Sequence, residues 1–192
     1  MAVTLGNMSP APPAALATVG EFINTGDVDT GEEHLADPDV LAAWLREHDL
    51  AGDGEKWTPA DLARTIRLRE ALRALAAANA GEPAPADAVA AIEQQRRRSK
   101  LGVVFVADGS APIVPEAAGI DGVLGLLLAI VATAMHDGTW VRLKACADPT
   151  CRWAFYDSSR SHRRTWCSME VCGNRNKVRA YRQRQSQDDA VG

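Results

Sequence analysis

The chain has four cysteines, Cys146, Cys151, Cys167 and Cys172, in two pairs. Four residues separate the members of each pair, and fifteen lie between the pairs. Thiolates spaced in this way match a tetrahedral four-cysteine zinc site, in which each short knuckle supplies two ligands from one tight turn. Four protein ligands close the shell and leave no position for water or substrate, so such a site is structural rather than catalytic. Pro149 helps to make the first knuckle turn. The second pair is expected at the start of a helix, where backbone N–H groups and nearby arginines favour thiolate over thiol. His162 lies between the pairs, but four thiolates already complete the shell. The competing uses of these thiols are two disulfides or an iron–sulfur cluster. A redox pair needs two intervening residues, where both pairs here have four.

The surroundings of the cysteines are basic and aromatic. Between the knuckles stand Arg160, Arg163 and Arg164, next to Trp166. After Cys172, the run GNRNKVRAYRQRQSQ has no proline and reads as a helix. Arg175, Arg179 and Arg182 would share one stripe of that helix at i, i+4 and i+7, with Lys177 and Arg184 nearly opposite. Val178 and Tyr181 lie beside the stripe, placed to pack on the module. The segments WVRLKAC and CRWAFYD, on either side of the first knuckle, suggest a small hairpin.

Charge divides the chain in the same place. Residues 141–184 hold eleven Lys/Arg and three Asp/Glu, which leaves ten basic and twenty-two acidic residues elsewhere. The overall charge of −4 describes neither part. A zinc knot that offers a basic helix and a basic loop suits phosphate contacts and insertion into a major groove. The plainer readings are a solvated basic face, or one that docks on the acidic remainder. Trp153, Phe155, Tyr156 and Trp166 could stack on RNA bases, although aromatics in so small a module usually form its core.

Elements upstream must carry this knot. Met1 to Ala17 is rich in Ala and Pro, and its start reads as disordered. The following TVGEFINT suggests a short ordered piece before a polar Gly/Asp loop. Asp37-Pro38 opens a helix that fades near His48, and Thr58-Pro59 opens the longest one, to about Ala80. Residues 85–98 make a third helix. KLGVVFVADGSAPIVP reads as two short strands about a turn at Asp108-Gly109. Ile120 to His136 is an apolar core helix, and its apolar run, with Asp121 near the start, falls short of a membrane span.

The fold class is therefore α+β. A mainly helical part with a short hairpin, residues 15–138, precedes a small four-cysteine module, residues 139–186, that ends in a basic helix. In the longest helix Arg69 falls on the apolar face and Arg73 near its edge. A buried guanidinium is costly unless paired. Arg69 is either half of a structural ion pair, with Glu21 as a partner, or an anion-binding group in an inner pocket walled by Asn24 and Thr25. Asn24 and Arg69 are the candidate ligand-binding residues.

The run RWAFYDSSRSHRRTWCSMEVCGNRNK strongly resembles the CGNR zinc finger family, whose name is spelled by Cys172-Gly173-Asn174-Arg175. The match spans roughly residues 140–182. Upstream, EFINT and LREALRAL resemble the ABATE domain commonly fused in front of that finger. The resemblance implies a bacterial stress-response regulator of transcription whose finger binds DNA. It makes Cys146, Cys151, Cys167 and Cys172 the ligands of one zinc ion, and Arg175 a DNA contact. Gly173 permits close backbone approach or positive φ, while Asn174 could cap the next turn or read adenine.

The leading expectation is a cytoplasmic DNA-binding regulator whose helical part senses a small-molecule effector or mediates self-association. The residues placed at DNA are Arg160, Arg163, Arg164, Arg175, Lys177, Arg179 and Arg182. The alternatives are an adaptor that binds an acidic protein and, below that, an RNA binder. Neither a nucleotide loop nor a Gly-x-Ser-x-Gly elbow nor His-Glu-x-x-His spacing is present, so an enzyme is not expected. No basic leader precedes an apolar stretch, and no membrane association is expected.

Overall fold

The computed structural model describes residues 12–189, so the expectation of disorder at the extreme N-terminus lies outside the described residues. Six α-helices and two hairpins follow one another along the chain. Helix α1, Ala14–Asn24, takes in the piece that the sequence marked only as ordered. Its small and apolar residues bury Leu16, Val19, Phe22 and Ile23 on one side. Helix α2, Pro38–Glu47, starts because the Asp37 carboxylate accepts from the N–H groups of Asp39 and Val40, both at 2.9 Å. Helix α3, Pro59–Ala78, opens on a reciprocal capping box between Thr58 and Asp61. It ends two residues earlier than the composition suggests, ahead of Gly81 in a positive-φ turn.

Helix α4, Ala86–Ser99, ends at Lys100 in the left-handed region. Strands β1, Leu101–Val103, and β2, Ile113–Pro115, then pair antiparallel with Leu101 opposite Pro115. The expected turn is in place: Gly109, at φ +86°, donates its N–H to the Val106 carbonyl at 3.0 Å. Helix α5, Gly119–His136, reaches eighteen residues and is long and apolar enough to cross a membrane by length and composition. It is packed as a core helix. Leu124, Leu127, Leu128 and Val131 are buried among side chains of α1, α2 and α3. Asp121 in its first turn receives Gln95 at 3.1 Å and the Arg64 guanidinium at 3.4 Å.

After one 3-10 turn, Trp140–Arg142, strands β3, Leu143–Ala145, and β4, Ala154–Tyr156, form the second hairpin around the first knuckle. This hairpin does not stand apart. Leu143, Ala145 and Ala154 are buried in the same cluster as Phe22, Leu72 and Leu124. Polar bonds reinforce the junction. The Asn79 amide donates to the carbonyls of Trp140 and Leu143, both at 2.9 Å. The Asn24 side chain donates to the Ala154 carbonyl at 2.9 Å and accepts its N–H at 2.7 Å. A π-helical turn, Met169–Gly173, leads into α6, Asn174–Asp189.

Candidate functional site

Strand β3 ends at Ala145 and delivers Cys146, whose N–H donates to the Trp153 carbonyl at 2.9 Å. Asp148 shapes the first knuckle. Its carbonyl receives the N–H groups of Cys151 and Arg152, and its carboxylate receives the N–H and hydroxyl of Thr150. The second pair comes from the segment before α6. Ser168 caps the π turn by accepting from Val171 N–H at 3.2 Å, and Cys172 lies inside that turn. Gly173 does not have a positive φ, and it is in close approach to a neighbouring side chain. A Cβ there would lie 2.6 Å from the Met169 sulfur.

The four sulfurs lie within 4.8 Å of one another. Cys151–Cys167 and Cys167–Cys172 are each separated by 3.6 Å. A zinc ion with bonds of about 2.3 Å to four sulfurs sets tetrahedral edges of about 3.8 Å, so the donor set fits one zinc ion. Burial and the neighbouring thiols push Cys167 and Cys172 upward, so these two resist ionisation on their own. A bound cation supplies the missing charge and holds all four as thiolates. Among these residues it does so as a cross-link, with no open coordination position.

Around the knot, a buried pair holds the basic loop. Lys144 and Asp157 meet at 2.8 Å with both side chains almost fully buried. The Lys144 ammonium also donates to the carbonyls of His162 at 2.7 Å and Arg164 at 3.1 Å. Asp157 accepts the N–H of Ser159 and of Arg164. Burial acts to raise the Asp157 carboxyl, but Lys144, Ser159 and the Arg164 N–H outweigh it and hold it at about 2. The loop so fixed leaves Arg160, Arg163 and Arg164 exposed. Arg164 lies 5.1 Å over the Phe155 ring and donates to the Cys167 carbonyl at 2.8 Å, so its cation is already oriented.

On α6, Arg175, Arg179 and Arg182 line one groove together with Val178 and Gln183, as the helical spacing predicts. Lys177 is exposed. The expectation that Val178 and Tyr181 pack onto the module is wrong: they are 49% and 55% exposed. Helical period gives them a face, and among the described residues that face is left to solvent. Asn174 does not cap an N–H either. Its amide donates to the Glu170 carbonyl at 2.9 Å and ties α6 to the π turn.

Asp148 is the residue that the sequence reading missed. Its fully buried carboxylate faces Arg179 at 3.5 Å and Arg175 at 3.6 Å. Burial alone would raise this carboxyl, yet Thr150 and the two arginines hold it below the usual range. Its position midway between two zinc ligands was a usable signal. A second acid, Asp29, comes from the loop after α1 and pairs with both Nη atoms of Arg175.

Arg69 and Asn24 have definite partners. Arg69 is paired with Glu33 through two bonds of 2.6 and 2.7 Å and with Glu70 at 2.7 Å, and not with Glu21. Glu21 faces His48 instead. Burial lowers the Arg69 cation's preference for its proton, but the bonds to Glu33 and Glu70 more than restore it. Arg73, equally buried, donates from Nη2 to the carbonyls of Ile23 and Gly26, both at 2.7 Å, and from Nη1 to that of Arg152 at 3.1 Å. The two arginines thus pin the loop that carries Asp29. Asn24 lines a shallow groove with Leu143 and Phe155, its amide spent on β4. Arg69 and Asn24 serve different junctions.

Comparison with known proteins agrees with this geometry. Residues 142–185 match the family described as "CGNR zinc finger". Residues 16–137 match ABATE, described as "Putative stress-induced transcription regulator". A search of curated proteins found no match. Both families are regulatory or zinc-finger families and neither is enzymatic. The ABATE match covers more than half of the chain: this protein belongs to the ABATE family and carries a CGNR zinc finger with a site for one zinc ion.

Proposed function

We propose that the protein is a cytoplasmic transcription regulator that binds DNA through the zinc-held basic surface, while its helical part senses an effector. The observation that carries this reading is the shared organisation of two basic elements around one metal knot. Asp148 orients Arg175 and Arg179 on α6, and the Lys144–Asp157 pair fixes the loop of Arg160, Arg163 and Arg164. Buried acids that fix the loop and the half-buried arginines of α6 around one knot gather a cationic surface, which supports a reading in which it meets phosphates. Asn24 and Arg69 enter this reading as residues of the sensing part, where they fix the position of the Asp29 loop and of β4.

The test is binding of zinc-loaded full-length protein to a pool of DNA duplexes across a salt series. Seven basic side chains, Arg160, Arg163, Arg164, Arg175, Lys177, Arg179 and Arg182, set the upper bound of the contact. Log affinity is expected to fall with log salt at a slope of about −0.9 per phosphate neutralised. Recovery of a preferred sequence supports the regulator. Absence of binding at low salt overturns the reading and favours an adaptor for an acidic protein. Phe155, Tyr156 and Trp166 are partly buried against the module, and only Trp153 and Tyr181 are exposed among the aromatics of the finger region in the described residues, so RNA ranks below DNA.

A further inference from the structure

An apolar cleft opens between helices of the helical part, apart from the four cysteines. Leu16 of α1, Leu50 after α2, and Leu126 and Ile130 of α5 line this cleft of about 500 Å³. That volume lies in the range of sites for drug-sized molecules. Two carboxylates, Asp49 and Asp137, line the same cleft, and no Lys, Arg or His does. We propose that this cleft binds a hydrophobic organic cation.

The placement of the two aspartates is the main argument. Each follows the last turn of a helix, Asp49 after α2 and Asp137 at the C-cap of α5. Unsatisfied carbonyls make a helix C-terminus negative, so a carboxylate there opposes the helix dipole, where a cation would complement it. The chain accepts this mismatch at both helix ends that meet the cleft. Among the described residues, neither carboxylate lies within 4 Å of a cationic side chain. The nearby Arg46 turns to Asp53, and His48 stacks on Trp44 and faces Glu21. Asp49 also adopts φ +55°, a turn position at which glycine is usual. That turn lets Leu50 N–H reach the Leu45 carbonyl at 2.8 Å and sets Leu50 in the cleft beside the carboxylate. Two carboxylates and two helix C-termini over an apolar floor are complementary to a ligand with one positive charge in a greasy frame.

The proposal gives the sensing role of the helical part a ligand class and rests on that reading for its consequence. Binding is measured without DNA, so either idea can fail alone. The probes are tetraphenylphosphonium and tetraphenylborate, which share size and shape and differ in the sign of their charge. Calorimetry on zinc-loaded full-length protein is expected to show the phosphonium bound about tenfold more tightly than the borate. The double substitution Asp49→Asn and Asp137→Asn keeps a residue that tolerates positive φ and is expected to abolish that preference. Thr133→Trp, at an exposed position lining the cleft, is expected to weaken both probes. Equal affinities, or a preference that survives the double substitution, overturn the proposal. So does a dimer in sedimentation that Thr133→Trp dissociates while neither probe binds, which assigns the cleft to a second copy of the chain.

Discussion

Asp29 and Arg175 stand 146 positions apart and form a two-pronged ion pair, with Nη1 3.1 Å from Oδ1 and Nη2 3.0 Å from Oδ2. The arginine of the zinc finger is thereby held by the helical part of the same chain. The Thr150 hydroxyl accepts a third bond from it at 2.9 Å. A DNA phosphate that takes Arg175 has to displace Asp29. Asp29→Ala is therefore expected to raise DNA affinity about threefold, as measured by fluorescence anisotropy, with zinc content unchanged. A fall in affinity would mean that Asp29 aims the guanidinium instead of occupying it.

Removal of the metal should act unevenly. The second knuckle and the start of α6 depend on Cys167 and Cys172, whereas β3 and β4 are also held by α1 and α3. Metal-linked folding in small zinc modules is worth on the order of 10 kcal/mol. After chelation, or in Cys167→Ser, amides of residues 165–180 are expected to lose hydrogen-exchange protection. Those of 143–145 and 154–156 are expected to keep most of theirs. Uniform loss of protection would show that the metal supports the whole fold.

The Lys144–Asp157 pair predicts both a mutant and an acid effect. Lys144→Met leaves the buried carboxylate without its main partner and is expected to cost about 3–5 kcal/mol in denaturant unfolding. The folded carboxyl sits at about 2, against an ordinary value of 3.8. A depressed folded pKa stabilises the native state above the unfolded value and loses that contribution as pH falls through the folded one. The stability difference between wild type and Asp157→Asn should therefore shrink by about 2 kcal/mol between pH 4 and pH 2.

Arg69 offers a separate check on the acidic loop. Glu33, which it holds, is bridged across the loop base from Gly26. A Cβ at Gly26 would meet the guanidinium carbon at 2.6 Å. Both Gly26→Ala and Arg69→Met are expected to release the loop and raise DNA affinity in the same direction as Asp29→Ala. They should also lower stability by about 1 kcal/mol, because Glu33 is a third exposed and Glu70 keeps its pair with Arg73. An unchanged DNA affinity would separate loop position from DNA binding.

The helices after α1 and the metal ligands were legible because their signals are local. Asp37-Pro38 and Thr58-Pro59 fix helix starts within four residues, and the cysteine spacing encodes its own turn. What escaped depends on distance. Glu33 and Glu70, not Glu21, pair with Arg69, because the loop after α1 folds back over α3. Asn24 looked like a pocket wall, and only the position of β4 shows that its amide completes a strand edge. Val178 and Tyr181 looked like packing residues because helical period reports a face but not what lies opposite it. Asp148 and Asp29, which embrace the arginines of α6, belong to three different segments of sequence with those arginines, and no short-range pattern joins them.

The burial of Leu143, Ala145 and Ala154 in the helical core has a mechanical consequence. The finger is not a bead on a string. Its first hairpin is a wall of the body behind it, and Arg73 and Asn24 bolt that wall in place. A small rotation of α1 or α3 would therefore turn the basic surface through the same angle, with no slack linker to absorb it. A finger exchanged between such chains would carry over its zinc ligands but lose its bearing.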